Sequence, residues 1–276
     1  MKPTFSIIVV CFNAGEKLYN TVASINAQTF RDFEIIVKDG NSTDVSISEL
    51  AQKYSDILNA PTFPYMTLIK GKDKGIYDAM NIALEGAEGD YVIFMNCGDY
   101  FYDENVLART AKAIAEDEDS NGKPVVYYGD VFFRKTQTMI PAPRTVTGFT
   151  CYRNIPCHQA CFYAKELFDN RKYDLQYKIR ADYDHFLWCF YKGNAGFKYL
   201  GFSVASYEGG GYSETEANIE RDRNEHDVIT REYMSKSELI RYKTMLGLTL
   251  APLRKAIADN PKLANTYQSI KKKIYR

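Results

Sequence analysis

The stretch from Asp73 to Asp99, DKGIYDAMNIALEGAEGDYVIFMNCGD, limits the fold of this chain more than any other. Polar residues open a helix whose apolar positions Ile76, Ala79, Ala83 and Leu84 fall at helical spacing. A Gly-Asp turn follows, and then five apolar residues, Tyr91 to Met95, run without alternation. A strand that is apolar at every position is buried on both faces, which is the condition of a central strand in a parallel sheet. It stops abruptly at Asn96-Cys97-Gly98-Asp99. In open α/β sheets ligands bind outside the carboxyl ends of the strands, so Asp99 stands where a phosphate-bound metal would sit.

The rest of the first half repeats the pattern. FSIIVVC (5–11), FEIIVK (33–38) and YMTLIK from Tyr65 read as strands. Leu18, Val22 and Ile25 mark a helix after the first of them, and Ile47, Leu50, Ala51 and Tyr54 mark one after the second. A helix over 104–116 closes the series. Strand-helix alternation with short links predicts an α/β fold, a mostly parallel sheet with helices on both faces.

After about residue 120 the pattern changes. VVYYGDVFF (125–133) and TQTMI (136–140) predict a hairpin ended by Pro141-Ala142-Pro143, and HQACFYA reads as a strand. ADYDHFLWCFYKG (181–193) reads as a helix stopped at Gly193, and FKYLGFSVASYE (197–208) as a strand entering a glycine loop. Residues 214–236 read as one charged helix. From Arg241 to Arg276 there are nine Lys and Arg against one acid, Asp259, interleaved with Leu246, Leu248, Leu250, Leu253 and Ile257. Such a basic amphipathic segment lies on an anionic membrane surface, or else packs on the domain or a partner.

Lys plus Arg equals Asp plus Glu at 35 each, a balance that gives no global pull toward nucleic acid. The chain opens almost directly on a strand, with no signal-peptide pattern, and no apolar run reaches the length of a membrane span. The six cysteines lack the density of a disulfide scaffold, so they are read as reduced and the protein as cytoplasmic. Cys151, Cys157, His158 and Cys161 offer zinc-ligating types, but the Cys-x-x-Cys pair is missing and strand alternation would separate neighbours, which disfavours zinc.

Three polar clusters fall at predicted strand ends: Cys11-Phe12-Asn13, Lys38-Asp39-Gly40 and Asn96-Cys97-Gly98-Asp99. In one sheet they converge on one edge. With FSIIVVCFNAGEKLYNTVASINAQTF, FEIIVKDGNSTD, DKGIYDAMN and GDYVIFMNCGD in that order, the chain resembles the family 2 glycosyltransferases, nucleotide-sugar enzymes of the GT-A fold. The likeness is strong over roughly 4–110 and weaker through His158-Gln159 and RADYD to the GGGYS loop.

The resemblance implies a GT-A domain over 1–213, with a donor half at 1–110 and an acceptor half at 111–213, and a helical basic extension over 214–276. It implies an inverting transfer of a sugar from a nucleotide diphosphate donor, expected to be UDP-linked. The acceptor would be a hydroxyl of a saccharide or lipid-linked saccharide in cell-surface polysaccharide synthesis. Asn13, Asp39 and Asp73 would belong to the nucleoside pocket, a carboxylate suiting the N–H of a base. The helix opened by Gly75 would lie beneath the donor with Asn81 on its inner side, its N-terminal dipole favouring the diphosphate. Asn96 and His158 would face the same site.

Asp99 resembles the last acid of the family's metal motif and would hold Mg²⁺ or Mn²⁺, which take oxygen ligands. The chain departs from the usual Asp-x-Asp, having Asn96-Cys97-Gly98-Asp99, so metal binding is expected to be weak before the donor arrives. The family often has Arg where Met80 stands; Lys74 or a basic residue of the second half would replace that charge. Asp182 in RADYD aligns with the general base, with Asp184 as the close alternative. The competing reading of Asp182 is a helix-capping acid. That of His158 is a buried core histidine, and that of Asp130 a turn residue. The Gly209–Ser213 loop closes over donor phosphates in the family reading; otherwise Ser213 caps the following helix.

Other classes fit less well. The first loop carries one glycine and an acid, which is poor for a nucleotidyltransferase, and neither GxGxxG nor a P-loop is present. The alternative to an active enzyme is a degenerate module that binds nucleotide-sugar or saccharide without turnover. Slow donor hydrolysis without acceptor separates the two.

Overall fold

Every residue of β1 (Phe5–Cys11) and β2 (Phe33–Asp39) is buried, as the unbroken apolar runs predict. The structure, a computed structural model, describes residues 2–120, 122–209 and 216–248. The first half builds β1, α1 (Glu16–Asn26), β2, α2 (Ser46–Lys53), β3 (Tyr65–Lys70), α3 (Ile76–Leu84) and β4 (Tyr91–Phe94). β2 and β4 flank β1 in parallel, and β3 pairs parallel with β2. The strands alternate as period-2 geometry requires. Ile8, Val10, Ile36, Val92 and Phe94 face one side, where α3 supplies Ala79, Met80, Ala83 and Leu84. Ile7, Val9, Ile35, Val37 and Ile93 face the other, where α1 supplies Leu18, Val22 and Ile25. Burying each such side chain contributes about 1.5–3 kcal/mol.

One polar network crosses this core. Glu34 on β2 is buried and accepts from Ser6 Oγ at 2.6 Å, Glu88 N at 2.7 Å, Gly89 N at 3.2 Å and Tyr65 Oη at 3.0 Å. Its charge is thus fully hydrogen-bonded, the condition under which a buried carboxylate is tolerated.

The second half is threaded through β5 (Tyr100–Phe101), α4 (Val106–Ala115), β6 (Val125–Phe133), β7 (Thr138–Ile140), α5 (Gly148–Arg153), β8 (Cys161–Ala164), α6 (Lys165–Asn170), α7 (Ala181–Tyr191) and β9 (Gly196–Tyr207). The sheet order is β3-β2-β1-β4-β8-β6-β9-β5, with β7 on β6. β8 runs antiparallel to both β4 and β6, while β6 and β9 are parallel. The fold is therefore the GT-A type, a mostly parallel sheet with helices.

Several elements differ from the sequence reading. HQACFYA divides into a 3-10 turn at His158–Ala160 and a shorter strand, because a turn is needed to bring the chain onto β4. α5 and α6 were not predicted; at six residues each they are too short to show helical periodicity. The charged helix expected over 214–236 is α8 (Glu216–Tyr233), and a further helix, α9 (Lys236–Leu248), follows it after Met234-Ser235, where Ser235 Oγ and N both bond Glu238 as a cap. Ile229, Tyr233, Met234 and Tyr242 join the same core cluster as Phe94, Phe186 and Leu187. The expected basic tail, Arg241 to Arg276, begins inside α9, where Tyr242 packs into the domain, and its remainder beyond Leu248 lies outside the described residues. No helix among the described residues is long and apolar enough to cross a membrane.

Candidate active site

The strands converge as the three clusters predict. Cys11 at the end of β1 registers with Asp39 at the end of β2, and β4 delivers Asn96 to Asp99 beside them. The chain runs outward from β1 through β2 to β3 and then crosses back through α3 to β4 on the other side of β1, so this edge is the topological switch point where ligands bind. A cavity of about 800 Å³ opens there. Its floor includes Cys11, Asn96 and Asp99, and its far wall His158, Gln159 and Asp182.

The loops after β1 and β2 are stitched together. Asn13, at φ +49°, accepts from Thr43 N at 2.8 Å and Asp44 N at 3.3 Å through Oδ1, and its own N–H reaches Ser42 Oγ at 2.8 Å. Asp39 is buried and receives Ser42 N at 3.0 and 3.1 Å and Ser42 Oγ at 2.5 Å. Asn13 therefore shapes the loop through its side chain, and Asp39 already holds a partner. Phe12 between them is 64% exposed at the cavity rim, its ring beside Gly40. Sequence reasoning passed over it, although an aromatic residue directly after an apolar strand was the available signal.

Lys38 is the second feature missed. Its side chain is 1% exposed, and Nζ donates to Asp39 O at 2.9 Å, Gly71 O at 2.7 Å and Asp73 Oδ2 at 3.1 Å. An ammonium has three protons, and all three are used. Asp73 in turn accepts from Gly75 N at 3.1 Å through Oδ1, fixing the start of α3. Gly75 sits at φ +124°, a conformation that L side chains rarely adopt. Lys74 gives its backbone N–H to Asp78 Oδ2 at 2.8 Å and leaves its side chain exposed. Met80 is in the core, and the cations lining the cavity are Lys17, Lys178 and Arg180.

Asn81 departs from its predicted place on the inner side of the helix. Its amide bonds Tyr173 on both sides, Nδ2 to O at 2.8 Å and Oδ1 from N at 3.0 Å, so it clamps a distant loop instead of facing the donor.

Asp99 is 5% exposed, and burial raises its pKa above the ordinary carboxylate value. Oδ2 accepts from Gln159 Nε2 at 2.9 Å and Oδ1 from Glu208 N at 3.0 Å. Gly98 sits at φ +99°, where an L side chain would be strained, and close to Glu208 Oε2. Glu208 also pairs with Lys17 Nζ at 2.6 Å, so a second carboxylate lies close to Asp99 from the far end of β9, where no local motif could reveal it. Asn96 Oδ1 is buried without a partner. A divalent ion prefers hard oxygen ligands, and this orphaned oxygen beside a desolvated carboxylate fits one. Among the described residues no three His, Cys, Asp or Glu side chains gather as ligands, so the remaining ligands would be donor phosphate oxygens and water.

From Asn96 a line of groups leads to Asp182. Asn96 Nδ2 lies 3.3 Å from His158 Nε2, and His158 Nδ1 lies 4.0 Å from Asp182 Oδ2. With the amide as donor, Nε2 accepts and the ring proton sits on Nδ1, which is buried and has no hydrogen-bond partner. Asp182 Oδ1 is 2.8 Å from the Tyr77 hydroxyl, which is also 2.7 Å from Ile179 O. Burial raises the Tyr77 pKa well above its usual value, keeping it neutral as a donor. Asp182 is 23% exposed, in the first turn of α7. Tyr183 and Phe186 next to it are buried in the core.

Asp184 is in the same turn and points elsewhere. It is fully buried, pairs with Arg171 at 2.9 Å and meets the Tyr233 hydroxyl at 3.0 Å. Burial pushes its pKa up to about 6. Two residues apart on a helix, the carboxylates diverge as helical geometry requires, and of the two Asp182 lines the cavity. Asp130 spends Oδ1 on Ala142 N at 2.8 Å and Tyr199 Oη at 2.9 Å. All six cysteines are free thiols, and burial pushes Cys151 and Cys157 up to about 12.

A GT-A sheet whose switch point carries carboxylates toward a cavity defines a glycosyltransferase architecture. The profile described as "Glycosyl transferase family 2" matches residues 6–180, and the chain belongs to this family. A PGL/p-HBAD biosynthesis glycosyltransferase of Mycobacterium tuberculosis is 37% identical over 253 residues, covering 90% of this chain and 88% of the relative. Among solved structures, S. aureus TarS 1-349 in complex with UDP-GlcNAc superposes with a TM-score of 0.62 at 21% identity, over 86% of this chain and 68% of that one. In the TarS 1-349 structure without a named ligand, this chain spans 60% of that one. The mannosyltransferase of Pyrobaculum calidifontis in complex with GDP-Man and Mn2+ gives 0.56 at 14% identity, over 92% and 83%. The protein is thus a glycosyltransferase.

Proposed function

We propose that the protein is an inverting glycosyltransferase that moves a sugar from a UDP-linked donor to a hydroxyl of a saccharide or lipid-linked saccharide acceptor. The observation that carries this reading is the placement of Asp182 across one cavity from Asp99 and Asn96. One carboxylate faces the acceptor side and another the diphosphate side, the separation of roles that an inverting displacement needs.

Tyr77 occupies Asp182 Oδ1, which leaves Oδ2 to take the acceptor proton as the hydroxyl oxygen attacks the anomeric carbon. His158 Nδ1 stands 4.0 Å from that oxygen, without a hydrogen-bond partner of its own, so the two flank the place for the acceptor hydroxyl. Asp99 and Asn96 would hold the divalent ion, which when bound neutralises charge on the leaving diphosphate. Phe12 offers a face for the base, while Asp39, Asn13 and Asp73 hold the loops that frame the nucleoside. The positive charge near the diphosphate would come from Lys17, Lys178 or Arg180, which line the cavity, and not from Lys74, which does not. The neighbouring structures in complex with UDP, UDP-GlcNAc and GDP-Man support a nucleotide-sugar donor, and the TarS complexes favour UDP within that class.

The acceptor side of the cavity is formed by Ile140, Pro141, Ala142, Pro143, Ile155 and Pro156. Such a wall suits an acceptor with an apolar part better than a free sugar. The basic tail beyond Leu248 fits peripheral contact with the cytoplasmic face of a membrane. A thermal-shift screen of nucleoside diphosphates and nucleotide sugars, with and without Mn²⁺, tests the donor assignment, since a ligand of the folded state raises Tm by mass action. A UDP shift that depends on Mn²⁺ and disappears in Asp99→Ala supports it. A folded protein that responds to no nucleotide points to the degenerate saccharide-binding module instead.

A further inference from the structure

α7 carries the proposed base at its N-terminal end, yet its own segment provides no side-chain cap there. The turn that leads into it, residues 178–180, is held instead from α8. Lys178 N donates to Glu225 Oε1 at 2.9 Å, and Ile179 N and Arg180 N both donate to Glu225 Oε2 at 2.9 Å. Three consecutive amides thus converge on one carboxylate from a helix more than forty residues away in sequence. The same helix holds the Arg180 side chain, with Nε to Asp222 O at 3.0 Å and a terminal nitrogen to Asp222 Oδ2 at 2.8 Å. Ile179 O, between the captured amides, is 2.7 Å from the Tyr77 hydroxyl that also touches Asp182.

We infer that Glu225 is a positioning residue for glycosyl transfer: it fixes the 178–180 turn, and through that turn and Tyr77 sets where the Asp182 carboxylate stands in the cavity. The inference rests on the assignment of Asp182 as the base. A carboxylate is suited to the task because it can take several N–H groups at once and complements the positive end of α7. α8 is docked independently of Glu225. Ile229 is in the core, His226 stacks on Tyr183 at 5.2 Å and meets Tyr152 O at 2.9 Å, and Tyr233 reaches Asp184. Loss of Glu225 therefore frees the turn without removing the helix. The donor-side groups Asp39, Asp73 and Asp99 lie on other elements, so nucleotide binding is separable from base placement.

The test compares Glu225→Ala, Glu225→Gln and the control Ile229→Ala, which loosens α8 without touching the turn. Each is assayed for transfer kcat, donor KM and UDP-induced thermal shift, and the amides of 178–180 are followed by hydrogen exchange. Glu225→Ala is expected to lower kcat on the order of 10–100-fold, the cost of misplacing a reacting group by about an ångström, with donor KM unchanged. Exchange at 178–180 speeds up, Glu225→Gln recovers part of both effects, and Ile229→Ala keeps kcat below its melting range. Unchanged exchange at 178–180 in Glu225→Ala overturns the inference whatever the activity. Wild-type kcat in that variant overturns it as well, as does an equal kcat loss in Ile229→Ala. A wild-type protein that neither transfers nor hydrolyses any nucleotide sugar counts against the transferase reading, and the exchange data still decide the role of Glu225 in holding the turn.

Discussion

Replacing Lys38 by Met removes a buried charge and orphans its three acceptors. The side chain is 1% exposed and its ammonium spends all its protons on Asp39 O, Gly71 O and Asp73 Oδ2. Met has similar length and fills the stem's volume, so the cost is electrostatic and not a cavity. Breaking a buried pair by removing one partner typically costs 3–5 kcal/mol. Asp73 retains 16% exposure and can recover some hydration, which places the expected loss near the lower end, about 3 kcal/mol. For a chain of this size that corresponds to a Tm drop of about 6–12 °C. The two loops that Lys38 ties frame the nucleoside, so donor affinity should fall with stability. Urea denaturation gives the first quantity, and UDP titration of the folded fraction at low temperature the second. A Lys38→Met protein with wild-type stability would refute the electrostatic accounting. One with lower stability but undiminished UDP affinity would refute the link from this tie to the donor pocket.

Asp182→Asn should lower transfer by about 10²–10⁴-fold while leaving the UDP-induced thermal shift intact, and loss of both together would mark Asp182 as a donor ligand. Phe12→Ala should raise donor KM several-fold with little change in kcat or Tm, because the ring is exposed in the free protein; an unchanged KM would remove it from the base site. Asp184 provides a pH signature. Burial raises its folded pKa to about 6, so between the unfolded value near 4 and that point the native state holds more protons. Its contribution to stability therefore declines as pH rises through this window, by up to about 3 kcal/mol, and then levels off. Asp184→Asn should remove that decline, visible as unfolding free energies at pH 4 and pH 7 that diverge from wild type. Parallel pH curves would refute it.

The first half was legible because its information is local. Unbroken apolar strands such as FSIIVVC and FEIIVK announce burial on both faces, and the acids that end them fall at one edge by topology alone. The second half was less legible because its information is distant. Glu208 reaches Asp99 from 109 residues away, and Asn81 bonds Tyr173 across 92. No pattern of spacing encodes such contacts. α8 was read only as charged because the stripe it docks with, Asp222, Glu225, His226 and Ile229, is mainly polar and carries little hydrophobic periodicity. Asp182 and Asp184 differ in environment, not in type, and only the fold separates an acid at the cavity from one paired with Arg171.

Strand β8 meets β4 through Tyr91–Ala164 and Val92–Tyr163 and meets β6 through three further residue pairs. This narrow antiparallel seam joins two parallel blocks whose registers are set independently, one by β1 with β2 and β4, the other by β6 with β9. A change in length between Ile140 and Pro156 would therefore recast the wall those residues form without altering the β1–β2 pairing that presents Asp39. Asp99 belongs to both blocks, since Gln159 and Glu208 hold its carboxylate, so a chimera joined at this seam would exchange the wall proposed for the acceptor only if it carried those two contacts with it.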